Sequence, residues 1–331
     1  MREFIGIVKD KVSLSKLALI TNPNTLSLHV AVLRTTSHTP SPPNAHHLAT
    51  LLTLGDSSRA TASIIIHSLF TRLHRTTDSH VTLKCLFTIH HIIKRGPFIL
   101  KDQLSVFTST NGRNNFKLSG FRDGASAATW MLSAWVRWYA CYVETIVSTS
   151  KTIGFVVCSL NSSLIEKEKQ RDSISSYTNF DLIKDFVSLV CVIEEICKVP
   201  DNLLVEKDRL LHCILELLTN DYLSTVNEIF LRVIEFKERV NFLNFDDSAE
   251  LASALDRLTS CKEKSSELFS SRKPSVDTLW EMIEELNNEI GMGNFRELGR
   301  KVSWSESARF GDRVVRTSDS LKFSSGRLRS K

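Results

Sequence analysis

Apolar residues recur every three or four positions over most of the chain, which is the spacing of one face of an α-helix. The clearest case is TVNEIFLRVIEFKERVNFLNF, residues 225–245, where Val226, Ile229, Val233 and Val240 share one face. The same spacing predicts helices at 25–36, 46–54, 58–74, 80–95, 125–147, 180–198, 203–219, 248–270 and 275–290. No segment alternates apolar and polar residues between turn signals, as a half-buried strand would. The pattern predicts an all-α protein.

Proline and glycine mark the joints between the predicted helices. Asn22-Pro23 precedes a helix start, the prolines of 40–43 prevent a helix across 39–43, and Gly96-Pro97 ends the helix before it. Only 7 prolines and 12 glycines occur in 331 residues, which suits a chain of helices with short joints. Successive amphipathic helices with short joints favour a stacked α-solenoid over a closed bundle.

Charge is distributed unevenly along the chain. Residues 1–150 carry a net charge of +9 and nine of the ten histidines, residues 151–290 carry −10, and residues 291–331 carry +6. A basic first half is typical of a surface that meets polyanions, whereas uneven charge on solvated faces is the plainer interpretation. From residue 291 onward, Ser, Arg, Lys and Gly dominate, and this composition predicts a flexible basic tail after a folded region at 1–290.

The N-terminal MREFIGIVKDK interrupts its apolar residues with charges and so predicts no signal peptide, and no stretch is long and apolar enough to span a bilayer. We therefore expect a cytoplasmic protein. The seven cysteines contain no C-x-x-C pair and lie mostly in apolar helical patterns, which predicts reduced thiols in the core.

Motifs that carry enzyme chemistry are absent from the sequence. There is no phosphate-binding glycine loop, no nucleophile elbow and no H-E-x-x-H, so we expect neither an enzyme nor a metal or cofactor site. Trp135, Trp138, Tyr139 and Tyr142 form one helical face that could stack nucleobases, but with few cations beside them they predict core packing instead. No nucleic-acid reader motif accompanies the basic half, and we expect no nucleic-acid partner.

One constellation predicts an anion site. Arg34 ends a helix, the proline-rich loop TTSHTPSPPN follows, and His46 and His47 open the next helix. A rigid loop of this kind brings a cation from one helix end close to the N–H groups and positive dipole at the start of another. The plainer interpretation is a loop that binds nothing, as in most arrangements of this type.

Several blocks resemble ANTH domains, the phosphoinositide-binding modules of clathrin assembly proteins. LHVAVLRTTSHTPSPPNAHH at 28–47 resembles the family's Lys-Ala-Thr-x-His segment with its following loop, proline and basic residues. HVTLKCLFTIHHIIKRGPFIL at 80–100, FKLSGFRD at 116–123 and WVRWYACYVE at 135–144 resemble three later blocks in the family's order. The resemblance is to short plant-type members, covers about 1–290, and implies a superhelical stack of about ten helices.

The resemblance also implies a headgroup site. The family's headgroup-binding lysine falls on Arg34, its loop proline on Pro43, its next lysines on Asn44 and His46, and its terminal His or Tyr on His47. Two permanent charges are therefore missing, and each cation at a membrane surface contributes about 1 kcal/mol. Three lysines near the N-terminus are expected to act as supporting contacts, namely Lys9, Lys11 and Lys16.

By this resemblance we expect a peripheral adaptor on coated pits and vesicles at the plasma membrane, the Golgi apparatus or both. Its expected partners are phosphoinositide membrane, clathrin heavy chain and a vesicle SNARE or other cargo. The only stretch that resembles a clathrin-binding box is Phe242-Leu243-Asn244-Phe245-Asp246, where we expect Leu243 and Phe245 to be core residues. A degenerate ANTH scaffold that binds proteins without reading lipid is the alternative.

Overall fold

The computed structural model describes residues 2–20, 22–110, 115–154, 173–200, 208–269 and 277–291. None of these residues lies in a β-strand, and the all-α prediction is confirmed. The first helices are α1 Arg2–Ile20, α2 Pro23–Thr35, α3 Ala45–Gly55, α4 Arg59–Arg75, α5 Ser79–Arg95, α6 Phe98–Thr110 and α7 Ala127–Ile153. They are followed by α8 Asn179–Cys197, α9 Arg209–Arg239, a 3₁₀ turn Val240–Phe242, α10 Phe245–Ser260, α11 Lys262–Leu268 and α12 at 277–291.

Side-chain caps define where several helices begin. Ser58 and Ser126 each form a capping box with a threonine three residues later, at the starts of α4 and α7. Asp78 and Asp208 accept hydrogen bonds from the first-turn amides of α5 and α9. At the end of α7, Gly154 has a φ of +81°, a left-handed conformation that glycine adopts without a steric cost.

The helices pack mainly on their near neighbours in the chain. In the first half, α2 contacts α1, α3 and α4, and α4 contacts α6. The central helix α5 packs on α7, and α7 in turn packs on α8, which also contacts α9 and α10. This succession is the stacked arrangement predicted from the pattern of short joints.

Buried charges connect the layers of this stack. Asp221 of α9 is fully buried and accepts from Tyr142 of α7 at 2.6 Å. It also lies 2.7 Å from Nε2 of His90 and pairs with Lys94, both on α5. Because α5, α7 and α9 all reach this one carboxylate, it ties the two halves of the described chain together.

Several predicted helix boundaries are wrong. Helices α1 and α6 were not predicted, and the separate helices expected at 203–219 and 225–245 form the single helix α9, with 201–207 outside the described residues. The segment 248–270 is divided into α10 and α11 at Cys261. The basic tail was predicted at 291–331; residue 291 still belongs to α12, and 292–331 lie outside the described residues.

Side-chain burial confirms some core predictions and corrects others. The aromatic stripe from Trp135 to Tyr142 is buried, as predicted. Phe245, expected in the core, is 45% exposed because it lies at the start of α10, whereas Leu243 is partly buried against the core. All six cysteines of the described residues are free thiols, and Cys158 lies outside the described residues. Only Cys85 and Cys261 are buried as predicted; Cys191, Cys197 and Cys213 are half-buried, and Cys141 is exposed on α7.

Candidate anion-binding site

The loop at 36–44 joins α2 to α3 and is held from beneath by a buried lysine. Lys84 of α5 is fully buried. Its Nζ donates to the carbonyl and hydroxyl oxygens of Ser37, at 3.0 and 3.2 Å, and to the hydroxyl of Thr39 at 3.0 Å. Burial lowers the pKa of Lys84 to about 8, although nearby carboxylates oppose the change. Lys84 therefore fixes the loop and does not present its charge to a ligand.

A second set of contacts fixes the same loop from the side. The backbone N–H and the imidazole Nδ1 of His38 lie 2.9 and 2.6 Å from the carboxylate of Asp10 on α1. Nη2 of Arg72 donates to the carbonyl oxygen of Thr36 at 2.8 Å and lies 3.6 Å from Asp10. Burial alone would raise the pKa of Asp10, but the hydrogen bonds from His38 outweigh it and the pKa lies below its usual value.

Residues of the loop line a cavity of about 290 Å³, which we call the Arg34 pocket. Arg34, Asn44 and His47 all line it, so three positions of the sequence-predicted site do meet. Arg34 is exposed and His47 is half-buried. Asp10 lines the same cavity, and its carboxylate balances the one permanent cation there. The formal charge of the pocket is therefore near zero.

His46 does not line the Arg34 pocket, although the sequence placed it in the site. Its side chain is exposed, with its ring centroid 5.9 Å from that of His47. Asn44 is the N-cap of α3 and accepts from the backbone N–H of His46 at 2.8 Å. That N–H, which we expected to face a bound anion, is therefore already satisfied within the protein.

The three lysines predicted as supporting contacts do not act as one group. Lys9 and Lys16 line a larger cavity between α1, α2 and α4, next to the Arg34 pocket. They lie seven residues apart, about two helical turns, and so occupy one face of α1. Lys11 is exposed on a different side of the same helix and lines neither cavity.

The residues that shape the loop were not found from the sequence. Asp10, Arg72 and Lys84 lie on three different helices, and their charges are largely consumed by contacts inside the protein. Lys84 stands within one of the blocks that resemble the family, which was an available signal. For Asp10 and Arg72 the sequence holds no comparable signal, because their partners are 28 and 36 residues away.

Comparison with known proteins identifies the family and its extent. The model of the ANTH domain matches residues 27–270. Three relatives from Arabidopsis thaliana carry the names "Putative clathrin assembly protein At4g40080", "At5g10410" and "At5g65370". The first is 46% identical over 98% of this chain and 93% of its own length. The second and third are 30% and 28% identical, over 89% and 86% of this chain and 87% and 97% of their own lengths.

The matched region begins within α2, includes the loop and Arg34, and extends through α11 to residue 270. The family model therefore covers most of the stacked helices and the loop between α2 and α3. This chain belongs to the ANTH-domain family.

Proposed function

We propose that this protein is a phosphoinositide-binding endocytic adaptor that helps to assemble clathrin coats and to recruit cargo or vesicle SNAREs. The observation that carries the proposal is the Arg34 pocket, in which an exposed arginine lies beside a loop fixed by buried charges. A fixed loop loses little entropy when a headgroup phosphate binds, and arginine can donate two parallel hydrogen bonds to phosphate.

The proposed mode of membrane contact is peripheral. No helix among the described residues has the length and apolar character that crossing a bilayer requires. The net charge of +9 on residues 1–150 attracts this half to anionic lipid, while Arg34 reads one headgroup phosphate and His47 assists it. His46, Lys9, Lys11 and Lys16 contribute diffuse attraction in this proposal.

Liposome sedimentation tests the lipid part of the proposal. We expect the wild type to bind vesicles with phosphatidylinositol 4,5-bisphosphate better than vesicles of matched charge made with phosphatidylserine. Arg34→Glu should weaken this binding about tenfold or more. Lys117→Glu is the control, because Lys117 is an exposed cation of the same basic half that lines neither cavity. Equal losses in the two variants would contradict the assignment of Arg34.

A specific observation favours the alternative of a protein-binding scaffold that does not read lipid. The Arg34 pocket contains the carboxylate of Asp10, and Asn44 there serves as a helix cap in place of a cation. If the wild type binds phosphoinositide and phosphatidylserine vesicles of matched charge equally, this alternative replaces the lipid-reading proposal.

Clathrin contact is proposed from the relatives' names and from one exposed turn. Phe242 is 82% exposed and Phe245 is 45% exposed, on either side of the partly buried Leu243. We expect the purified chain to retain clathrin heavy chain in a pull-down, and the double variant Phe242→Ser/Phe245→Ser to lose it. The single variant Phe180→Ser, at another exposed phenylalanine, is the control. Retention by the double variant would remove this turn from the proposal.

A further inference from the structure

A groove between α1, α2 and α4 forms a second cavity, which the proposed headgroup site does not use. Its volume is about 1030 Å³, against about 290 Å³ for the Arg34 pocket. Val8 and Val12 of α1 and Val32 and Leu33 of α2 line it with apolar surface. We call it the α1–α4 groove.

The charged lining of the groove is predominantly cationic. Lys9 and Lys16 of α1 line one wall, while Arg72 and Arg75, from the last turn of α4, line another. Asp78 is the only carboxylate in the lining, and Arg72 also lies 3.6 Å from Asp10, so the four cations against these two carboxylates give the groove a net charge of +2. The Arg34 pocket has one arginine against one carboxylate. A multiply charged anion therefore gains more electrostatic stabilisation in the groove than at Arg34.

Hydrogen-bond donors accompany this charge. His29 and His67 line the groove, and each contacts a hydroxyl group of the same cavity. Nδ1 of His29 lies 2.7 Å from Oγ of Ser68. Nδ1 of His67 lies 3.2 Å from Oγ1 of Thr71. Nε of Arg72 is buried and has no hydrogen-bond partner among the described residues. Leaving a buried charged donor unpaired is costly, and a phosphate oxygen would relieve that cost.

We propose that the α1–α4 groove is a second anion site, and that its ligand is an inositol ring carrying several phosphate groups. Four permanent cations on opposite walls suit phosphates that point in several directions, which one carboxylate or one phosphate would not satisfy. The volume is also in the range of small-molecule sites, about 300–1,000 Å³. The same chemistry occurs in a phosphoinositide headgroup and in a soluble inositol polyphosphate. The groove site does not depend on lipid recognition by Arg34.

Isothermal titration with inositol hexakisphosphate tests the groove in the absence of membrane. Lys16→Glu/Arg75→Glu reverses one exposed cation on each wall and should weaken binding by about tenfold or more. Arg95→Glu/Lys117→Glu makes the same change in net charge at two exposed cations outside the groove and should weaken binding by less than about threefold. Equal losses in the two double variants, or no binding by the wild type, would overturn the proposal. Thermal melts of both variants report whether each has folded.

Vesicles distinguish the two sources of the ligand. If the groove reads lipid, Lys16→Glu/Arg75→Glu should also lower sedimentation with phosphatidylinositol 4,5-bisphosphate vesicles, and inositol hexakisphosphate should compete. If the groove holds a soluble ligand, titration is lost while sedimentation is retained. Arg34→Glu separates this proposal from the headgroup site: it should weaken the titration less than Lys16→Glu/Arg75→Glu does, and loss of titration in Arg34→Glu with retention in the groove variant would overturn the groove assignment.

Discussion

The residue that holds the loop at 36–44 most directly is the buried Lys84, and not Arg34. Lys84 contacts Ser37 and Thr39 from α5, while Arg72 contacts the backbone of Thr36 from α4. Buried donors that are fully paired are strongly held, because breaking the contact leaves a charge without water or a partner. The loop therefore owes its fixed form to side chains of α4 and α5, and not to Arg34 itself.

A prediction about pH follows from the pKa of Lys84. The folded protein holds this pKa at about 8 against an unfolded value of 10.5, so above pH 8 the unfolded state binds more protons. Stability due to Lys84 therefore rises with pH, by about 2 kcal/mol between pH 7.5 and 9.5. Lys84→Met should lose this rise. Urea unfolding of both proteins at both pH values measures it, and a constant difference between them would show that the folded pKa of Lys84 is not lowered.

The distance between partners along the chain decides which site residues could be found from the sequence. Arg34 and His47 are 13 positions apart across one proline-rich loop, so local rules of chain geometry bring them together. Lys84 and its partner Ser37 are 47 positions apart, and only the packing of α5 beneath the loop makes them neighbours. His46 was misplaced for a local reason, since the adjacent Asn44 takes its backbone N–H.

At the scale of elements, the pattern found the helices that bury a continuous apolar face and missed others. The central helix α5 is almost wholly buried and was predicted within one residue of its start and at its end. Helix α1 exposes Ile7, Val8 and Val12, so its apolar residues do not mark a core face. The pattern predicted two helices, at 203–219 and 225–245, where the structure has the single helix α9, and Asp221 between them is fully buried.

Asp221 of α9 has its partners on the neighbouring helices α5 and α7. Its pKa is below the usual value, because burial, which alone would raise it, is outweighed by His90 and Lys94. Asp221→Ala should destabilise the protein by about 3–5 kcal/mol, because Lys94 is left buried without its counterion. Urea denaturation at neutral pH measures the loss.

A double variant supplies the control for this prediction. Asp221→Leu/Lys94→Met removes both charges and should recover much of the stability, since a buried pair can be replaced by apolar residues at little cost. If Asp221→Ala costs less than about 1 kcal/mol, the carboxylate does not hold α5, α7 and α9 together. The folded carboxylate also titrates lower than the unfolded one, so its contribution should be lost as pH falls below about 4.

At the scale of the whole molecule, charge divides the chain into a basic first half and an acidic second half. Both proposed anion sites lie in the first half, on α1, α2, α4 and the loop before α3. Residues 151–290 carry a net charge of −10 and would be repelled by an anionic surface. Under the proposed function, we expect this division of charge to orient the molecule with the α1 to α4 end toward the membrane.

Removing the basic segment 292–331 tests whether the folded domain ends near residue 290. The buried apolar cluster of the described residues extends to Ile290, so removing 292–331 should leave the helical circular dichroism spectrum and the midpoint of thermal unfolding nearly unchanged.

The same truncation removes ten basic and four acidic residues, a net charge of +6, which lies beyond the proposed sites. It should lower binding to phosphatidylserine and phosphoinositide vesicles by a similar factor, since diffuse charge does not distinguish headgroups. Arg34→Glu should instead reduce the preference for phosphoinositide vesicles over phosphatidylserine vesicles. If the truncated chain unfolds more than about 5 °C lower, residues 292–331 belong to the folded domain and the division near residue 290 is wrong.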